Sequence, residues 1–184
     1  MIKWVWINVI TLVSFFVFFL INQSVFESFS VSENISWIFL PAGLRLFFIL
    51  VYRHRAVVGL FLGSLLASVH LTQETLSPFT LCLSLASTLN PLIALYAVEK
   101  WTSHFSLTLQ NLTLEAIISL AIIQAFFCTT LHHLIFLGFE KTLQENFLGE
   151  LLTMFFGDLL GIVIMMGLLT LALKLMLKSY KPTR

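Results

Sequence analysis

Stretch after stretch of this chain runs for sixteen or more residues with scarcely a charge, and that pattern confines it to a bilayer. A helix rises about 1.5 Å per residue and the hydrocarbon layer is about 30 Å thick, so a spanning helix needs roughly 17 to 25 apolar residues. Six stretches meet or approach that length, at residues 4–21, 35–52, 56–71, 79–98, 114–138 and 147–173. They predict an all-α, polytopic membrane bundle of about six transmembrane helices in a single domain, residues 1–184. The stretch at 56–71 is the shortest, and the Arg53-His54-Arg55 link before it predicts a tight hairpin with the preceding span. The first stretch is longer than the apolar core of a signal peptide and no A-x-A site follows it, so it predicts a retained helix. Charged residues make up only 10% of the chain, far below a soluble domain, and with spans and short loops taking up its length no separate soluble output module is expected.

Lys and Arg concentrate in the short loops that stay in the cytoplasm, so their positions predict orientation. Lys3, Arg53, Arg55, Lys100, Lys174, Lys178, Lys181 and Arg184 fall on one side of a six-helix arrangement, and Lys141 on the other. Both ends are therefore expected in the cytoplasm. Glu27, Glu33, Glu74, Glu140 and Glu145 occupy the opposite loops, and Trp4, Trp37 and Trp101 lie near helix ends, where an indole reaches the headgroups. A net charge of +1 offers no footprint for nucleic acid. Cys82 and Cys128 each sit inside an apolar run, where they read as small packing residues and not as a disulfide or a CxxC site. The N-x-S/T triplets at Asn22, Asn34 and Asn111 carry no weight.

A charge within a span costs at least about 2.5 to 3.5 kcal/mol on insertion scales, so each one marks a structural or functional role. Arg45 lies ten residues into the second span and Asp158 eleven into the sixth, at matching depths. They are expected to pair inside the bundle, with the guanidinium fork meeting the carboxylate bidentately. Such a pair either fixes helix packing or serves as a ligand site or switch. Asn90, at similar depth, is expected to add a third polar contact. Pro91 after it has no N–H and so frees the carbonyl of Ser87, and a carbonyl exposed in this way can line a polar cavity.

Small residues recur at four-residue spacing as Gly59, Gly63 and Ala67, and again as Gly157 and Gly161. They predict close-packed helix faces, the second of which buries Asp158 against a neighbour. A second polar cluster of His70, His132, His133 and Glu150 is expected toward the outer end. Adjacent His132 and His133 point about 100° apart on a helix, so no metal, haem or other cofactor is expected there, and hydrogen bonding between helices is the ordinary use of such side chains. No serine or cysteine nucleophile stands at motif spacing from a histidine and an acid, and no enzyme activity is expected.

Ser36-Trp37-Ile38-Phe39-Leu40-Pro41-Ala42-Gly43-Leu44, a basic turn, Gly59-Leu60-Phe61-Leu62-Gly63, and later Phe156-Gly157-Asp158-Leu159-Leu160-Gly161-Ile162 resemble the bacterial membrane-associated sensor domain MASE1. The Ser87 to Pro91 stretch lies where that family has a polar region, and the resemblance covers most of the chain from Trp37 onward. It implies a sensory or docking module of the bacterial inner membrane, of a kind usually fused to cyclase, phosphodiesterase or kinase domains. The sequence departs from it in offering no segment expected to form an output domain and in placing Arg45 where an apolar residue is usual.

The function expected is thus a non-enzymatic membrane sensor that binds a small ligand or lipid, or docks a signalling protein in trans at Arg53, Arg55, Lys174 and Lys178. The alternative from another class is the substrate-binding membrane subunit of a small-molecule transporter. The inverted repeat common among transporters is not visible in the sequence.

Overall fold

The computed structural model describes residues 2–26, 30–32, 35–73, 76–101, 107–108, 112–141 and 146–179. Helix α1 (Ile2–Phe26) is followed by a small antiparallel pair, β1 (Ser30–Ser32) and β2 (Ile35–Ser36). Then come α2 (Leu40–Tyr52), a 3-10 turn (Arg53–Ala56), α3 (Val57–Thr72), α4 (Pro78–Trp101), α5 (Leu114–Gly138) and α6 (Phe147–Ser179). Glu27, Glu33, Asn34, Glu74, Asn111, Glu145, Lys181 and Arg184 lie outside the described residues, as do the side chains of Lys174 and Lys178.

Local chemistry sets several of these boundaries. Ser77 and Thr80 form a reciprocal cap, each backbone N–H donating to the other's hydroxyl, with Pro78 as the first helical residue of α4. Thr113 caps α5 by accepting from the N–H of Ala116. The second span begins later than its apolar run. Ile35 and Ser36 are strand and α2 starts at Leu40, with Pro41 in its first turn. Proline disfavours helix in the residue before it, and a short apolar run does not by itself distinguish strand from helix.

Five helical stretches are long and apolar enough to cross a membrane, not six, and one of them, Leu40–Thr72, takes in the third of the six spans read from the sequence and the second from Leu40 onward. This stretch turns back on itself. Leu40 donates to the side chain of Asn22 near the end of α1, whereas Gly59 donates to Asn8 near its start. From there Gly63 lies against Leu12 and His70 against Phe16, so α3 runs parallel to α1 while α2 runs against it. The reversal falls at Arg53, whose φ of 51° lies in the left-handed region.

Helix α2 is the centre of the bundle, packed against α1, α4 and α6. Every residue from Pro41 to Leu46 is buried, and a helix apolar on all sides belongs in an interior. Since lipid is as apolar as the helices, backbone approach is what holds them together. Gly59 and Gly63 bring α3 onto the backbone of α1 at Asn8 and Leu12. Gly157 and Gly161 press α6 onto the carbonyls of Ser36 and Phe39, and Phe39 in turn donates its N–H to the Gly157 carbonyl at 3.1 Å. The glycines of α6 therefore seat a non-helical segment as well as a helix, and that segment forms one wall of the site below.

Candidate functional site

Arg45 is 2% exposed and its guanidinium reaches four groups, three on different helices and one on the segment before α2. Nη1 donates to the carbonyl of Ser87 on α4 at 3.3 Å. Nη2 lies 3.8 Å from the Cys128 sulfur on α5 and 3.8 Å from Asp158 Oδ1 on α6. The guanidinium carbon sits 5.5 Å from the centre of the Phe39 ring, within cation–π range. Ser87 follows the start of α4 by nine residues and Cys128 precedes the end of α5 by ten, which at about 1.5 Å per residue places the group about 14 Å below those ends. That is close to the middle of a hydrocarbon layer about 30 Å thick.

The contact with Asp158 is an ion pair without a hydrogen bond, because 3.8 Å exceeds donor–acceptor range. The sequence predicts a bidentate fork, but a guanidinium already committed to Ser87 and Cys128 is not turned to meet both carboxylate oxygens. Asp158 Oδ2 and Arg45 Nε are left with no hydrogen-bond partner. The Ser87 carbonyl is the oxygen that Pro91 deprives of its helical donor, and Arg45 supplies the replacement.

His132 extends this network. Its Nδ1 is 2.8 Å from the carbonyl of Cys128, which can only accept, so Nδ1 carries the proton. In the neutral ring Nε2 then accepts from the Ser87 hydroxyl at 3.0 Å. Asn90 takes no part in it. It is fully buried, and neither its amide nitrogen nor its oxygen has a partner. The remaining polar residues toward the outer end are not gathered into one cluster. His133 donates from Nδ1 to the carbonyl of Thr129 at 3.0 Å, and its ring packs edge-on against Phe136 and Phe147. His70 is exposed beside Phe16, and Glu150 is buried two turns from Asp158. Among the described residues no group of three or more potential metal ligands converges.

Arg45, Asp158, Ser87, Cys128 and His132 line one cavity of about 110 Å³. Phe15, Phe19, Leu83, Phe136 and Met154 give it apolar walls, and Asn22 and Ser36 stand at the α1 and strand side. All six helices contribute to it, including α3 through Ser64 and Ser68. Several of these residues carry no sequence signal of a site. Asn22, which bonds to Leu40 and Ile38 across the connection, reads only as a chance sequon, and Cys128 only as packing.

The two segments that carry the family resemblance are packing partners in this structure. Gly43 lies against Gly161, Ile162 and Met165, and Phe39 bonds to Gly157, the residue before Asp158. The profile of the MASE1 family matches residues 7–180, nearly the whole chain. The chain belongs to the MASE1 family. MASE1 domains are membrane-associated sensory domains, so this is a multi-pass membrane protein with a sensory role. No curated protein and no solved structure matches it. In this MASE1 domain the glycine-framed Asp158 and the Pro-Ala-Gly turn of α2 form one interface, and Arg45 lies one helical turn beyond Pro41 on the same helix.

At the basic end Arg53 makes a bidentate pair with Glu99, with Nη2–Oε1 at 2.6 Å and Nη1–Oε2 at 3.2 Å. Leu107 closes the arrangement, donating its N–H to Glu99 and accepting from Arg53 through its carbonyl. Arg53 is thus held within the fold, while Arg55 and Lys100 remain exposed.

Proposed function

We propose that this chain is a non-enzymatic sensory module of the bacterial inner membrane that binds a small ligand at the Arg45 cavity and passes its occupancy to a signalling protein in trans. The observation that carries this reading is the shared cavity. All six helices line it, so a molecule held there whose affinity differs between two helix arrangements shifts the balance between them. The 3.8 Å ion pair, with one polar atom of each partner unbonded, is a contact that a ligand can open without breaking a strong hydrogen bond. Arg55 and Lys100 supply an exposed basic surface for the partner at the opposite end of the bundle. The positive-inside pattern supports placing that surface in the cytoplasm.

Native mass spectrometry of the full chain from mild detergent, as wild type and as Asp158→Asn, tests the reading. A small molecule retained by the wild type and lost from the folded variant supports it. A protein partner retained equally by both, with no small molecule, would replace the ligand site by a docking scaffold. Substrate uptake dependent on this chain and an ATPase would make it a transport subunit.

A further inference from the structure

We infer that the Arg45 cavity selects a small molecule of zero net charge that carries a hydrogen-bond acceptor beside a donor, as in a primary amide or a zwitterionic amino acid. This rests on the small-ligand reading above. Arg45 and Asp158 are the two charged groups among the described lining residues, and they are of opposite sign. Both side chains are buried at mid-membrane depth among phenylalanine, aliphatic and uncharged hydroxyl and amide side chains, where an uncompensated charge is severely penalised. A net-charged ligand would leave one such charge in excess, whereas a neutral one preserves the balance.

The unused hydrogen-bonding capacity fixes the rest of the chemistry. Arg45 Nε is a donor without an acceptor, and Asp158 Oδ2 is an acceptor without a donor. A ligand that parts the pair must offer an acceptor to the first and a donor to the second. Side by side on one small molecule, these are the C=O and N–H of an amide or the carboxylate and ammonium of an amino acid. Size is limited as well. A cavity of about 150 Å³ accommodates benzene, so the 110 Å³ here suits about five heavy atoms with a short apolar tail toward Phe15, Phe19 and Met154.

Propionamide, alanine, propionate and butylammonium sample the possibilities at nearly constant size. Their dissociation constants for the full chain in detergent at neutral pH are measured by saturation-transfer NMR. Propionamide or alanine is expected to bind at least tenfold more tightly than either charged probe, and which of the two binds more tightly distinguishes an amide from a zwitterion. In Asp158→Asn the preference is expected to move to propionate, and in Arg45→Gln to butylammonium. The double variant Arg45→Gln/Asp158→Asn, again neutral, is expected to keep discriminating against both ions. Wild type binding propionate or butylammonium as tightly as the neutral probes overturns the inference but leaves the cavity a ligand site. Binding of none of the four, together with no retained molecule in the mass spectrum, overturns both.

Discussion

Arg45 donates to the one main-chain oxygen near it that proline has released: Nη1 lies 3.3 Å from the carbonyl of Ser87, four residues before Pro91. The ion pair with Asp158 is thereby unequal. Arg45 has further partners in Ser87, Cys128 and Phe39, while Asp158 has Arg45 as its salt-bridge partner and one oxygen without a hydrogen bond.

This inequality predicts the outcome of mutating the pair. Arg45→Met leaves a buried carboxylate uncompensated and should cost about 3–5 kcal/mol of stability. Asp158→Leu should cost less, because the guanidinium keeps the Ser87 carbonyl, and the combined variant should recover most of the loss. The charge swap Arg45→Asp/Asp158→Arg should not recover it, since an arginine on α6 is not placed at the Ser87 carbonyl. Unfolding curves in detergent check all four. Simple additivity of the two single losses, or full rescue by the swap, would contradict the account.

The glycines of α6 predict a sharp contrast. A Cβ at Gly157 or Gly161 would run into the backbone carbonyls of Ser36 and Phe39, and backbone cannot turn aside as a side chain can. Gly157→Ala and Gly161→Ala should each cost about 1–3 kcal/mol or more. Gly167→Ala on the same helix meets nothing within 4 Å and should be neutral or stabilising by up to about 1 kcal/mol. Thermal unfolding of the three variants checks this.

The Arg53–Glu99–Leu107 arrangement predicts a local effect at the basic end. Glu99→Ala removes the acceptor for the Leu107 N–H and the partner of Arg53, so exchange of the Leu107 amide should accelerate roughly tenfold. Glu99→Gln keeps an acceptor and should fall between. Unchanged exchange in both would mean that this contact does not hold the segment.

Sidedness is tested by cysteine labelling of intact cells. His54→Cys is expected to be shielded from a membrane-impermeant thiol reagent, and Lys141→Cys to react. The reverse pattern would invert the topology. Cys82 and Cys128 lie within α4 and α5 and give a low background.

Most of the spans are legible because hydropathy is a property of each segment by itself, and the second is the informative exception. Its residues 35–39 are apolar enough to read as helix, yet they are not helical, and Pro41 is the visible sign of where α2 begins. In the site, Arg45, Asp158 and the carbonyl freed by Pro91 are readable, since a charge or a proline inside a span is anomalous wherever it points. Asn22, Cys128 and the Ser87–His132 contact are not, because such residues are ordinary in membrane helices until a neighbour is known.

The sequence alone determined a multi-pass helical bundle, its expected sidedness, and two opposite charges at one depth. Those follow from quantities that add along the chain: length, transfer free energy and the distribution of Lys and Arg. Tertiary structure decided that Arg45 spends its fork on a carbonyl and a thiol instead of closing on Asp158, that Asn90 stays apart, and that the histidines disperse. The physical reason is rotation. Each helix can turn about its axis with little change in hydropathy, and only close packing, through Gly43, Gly59, Gly63, Gly157 and Gly161, fixes which side chains meet.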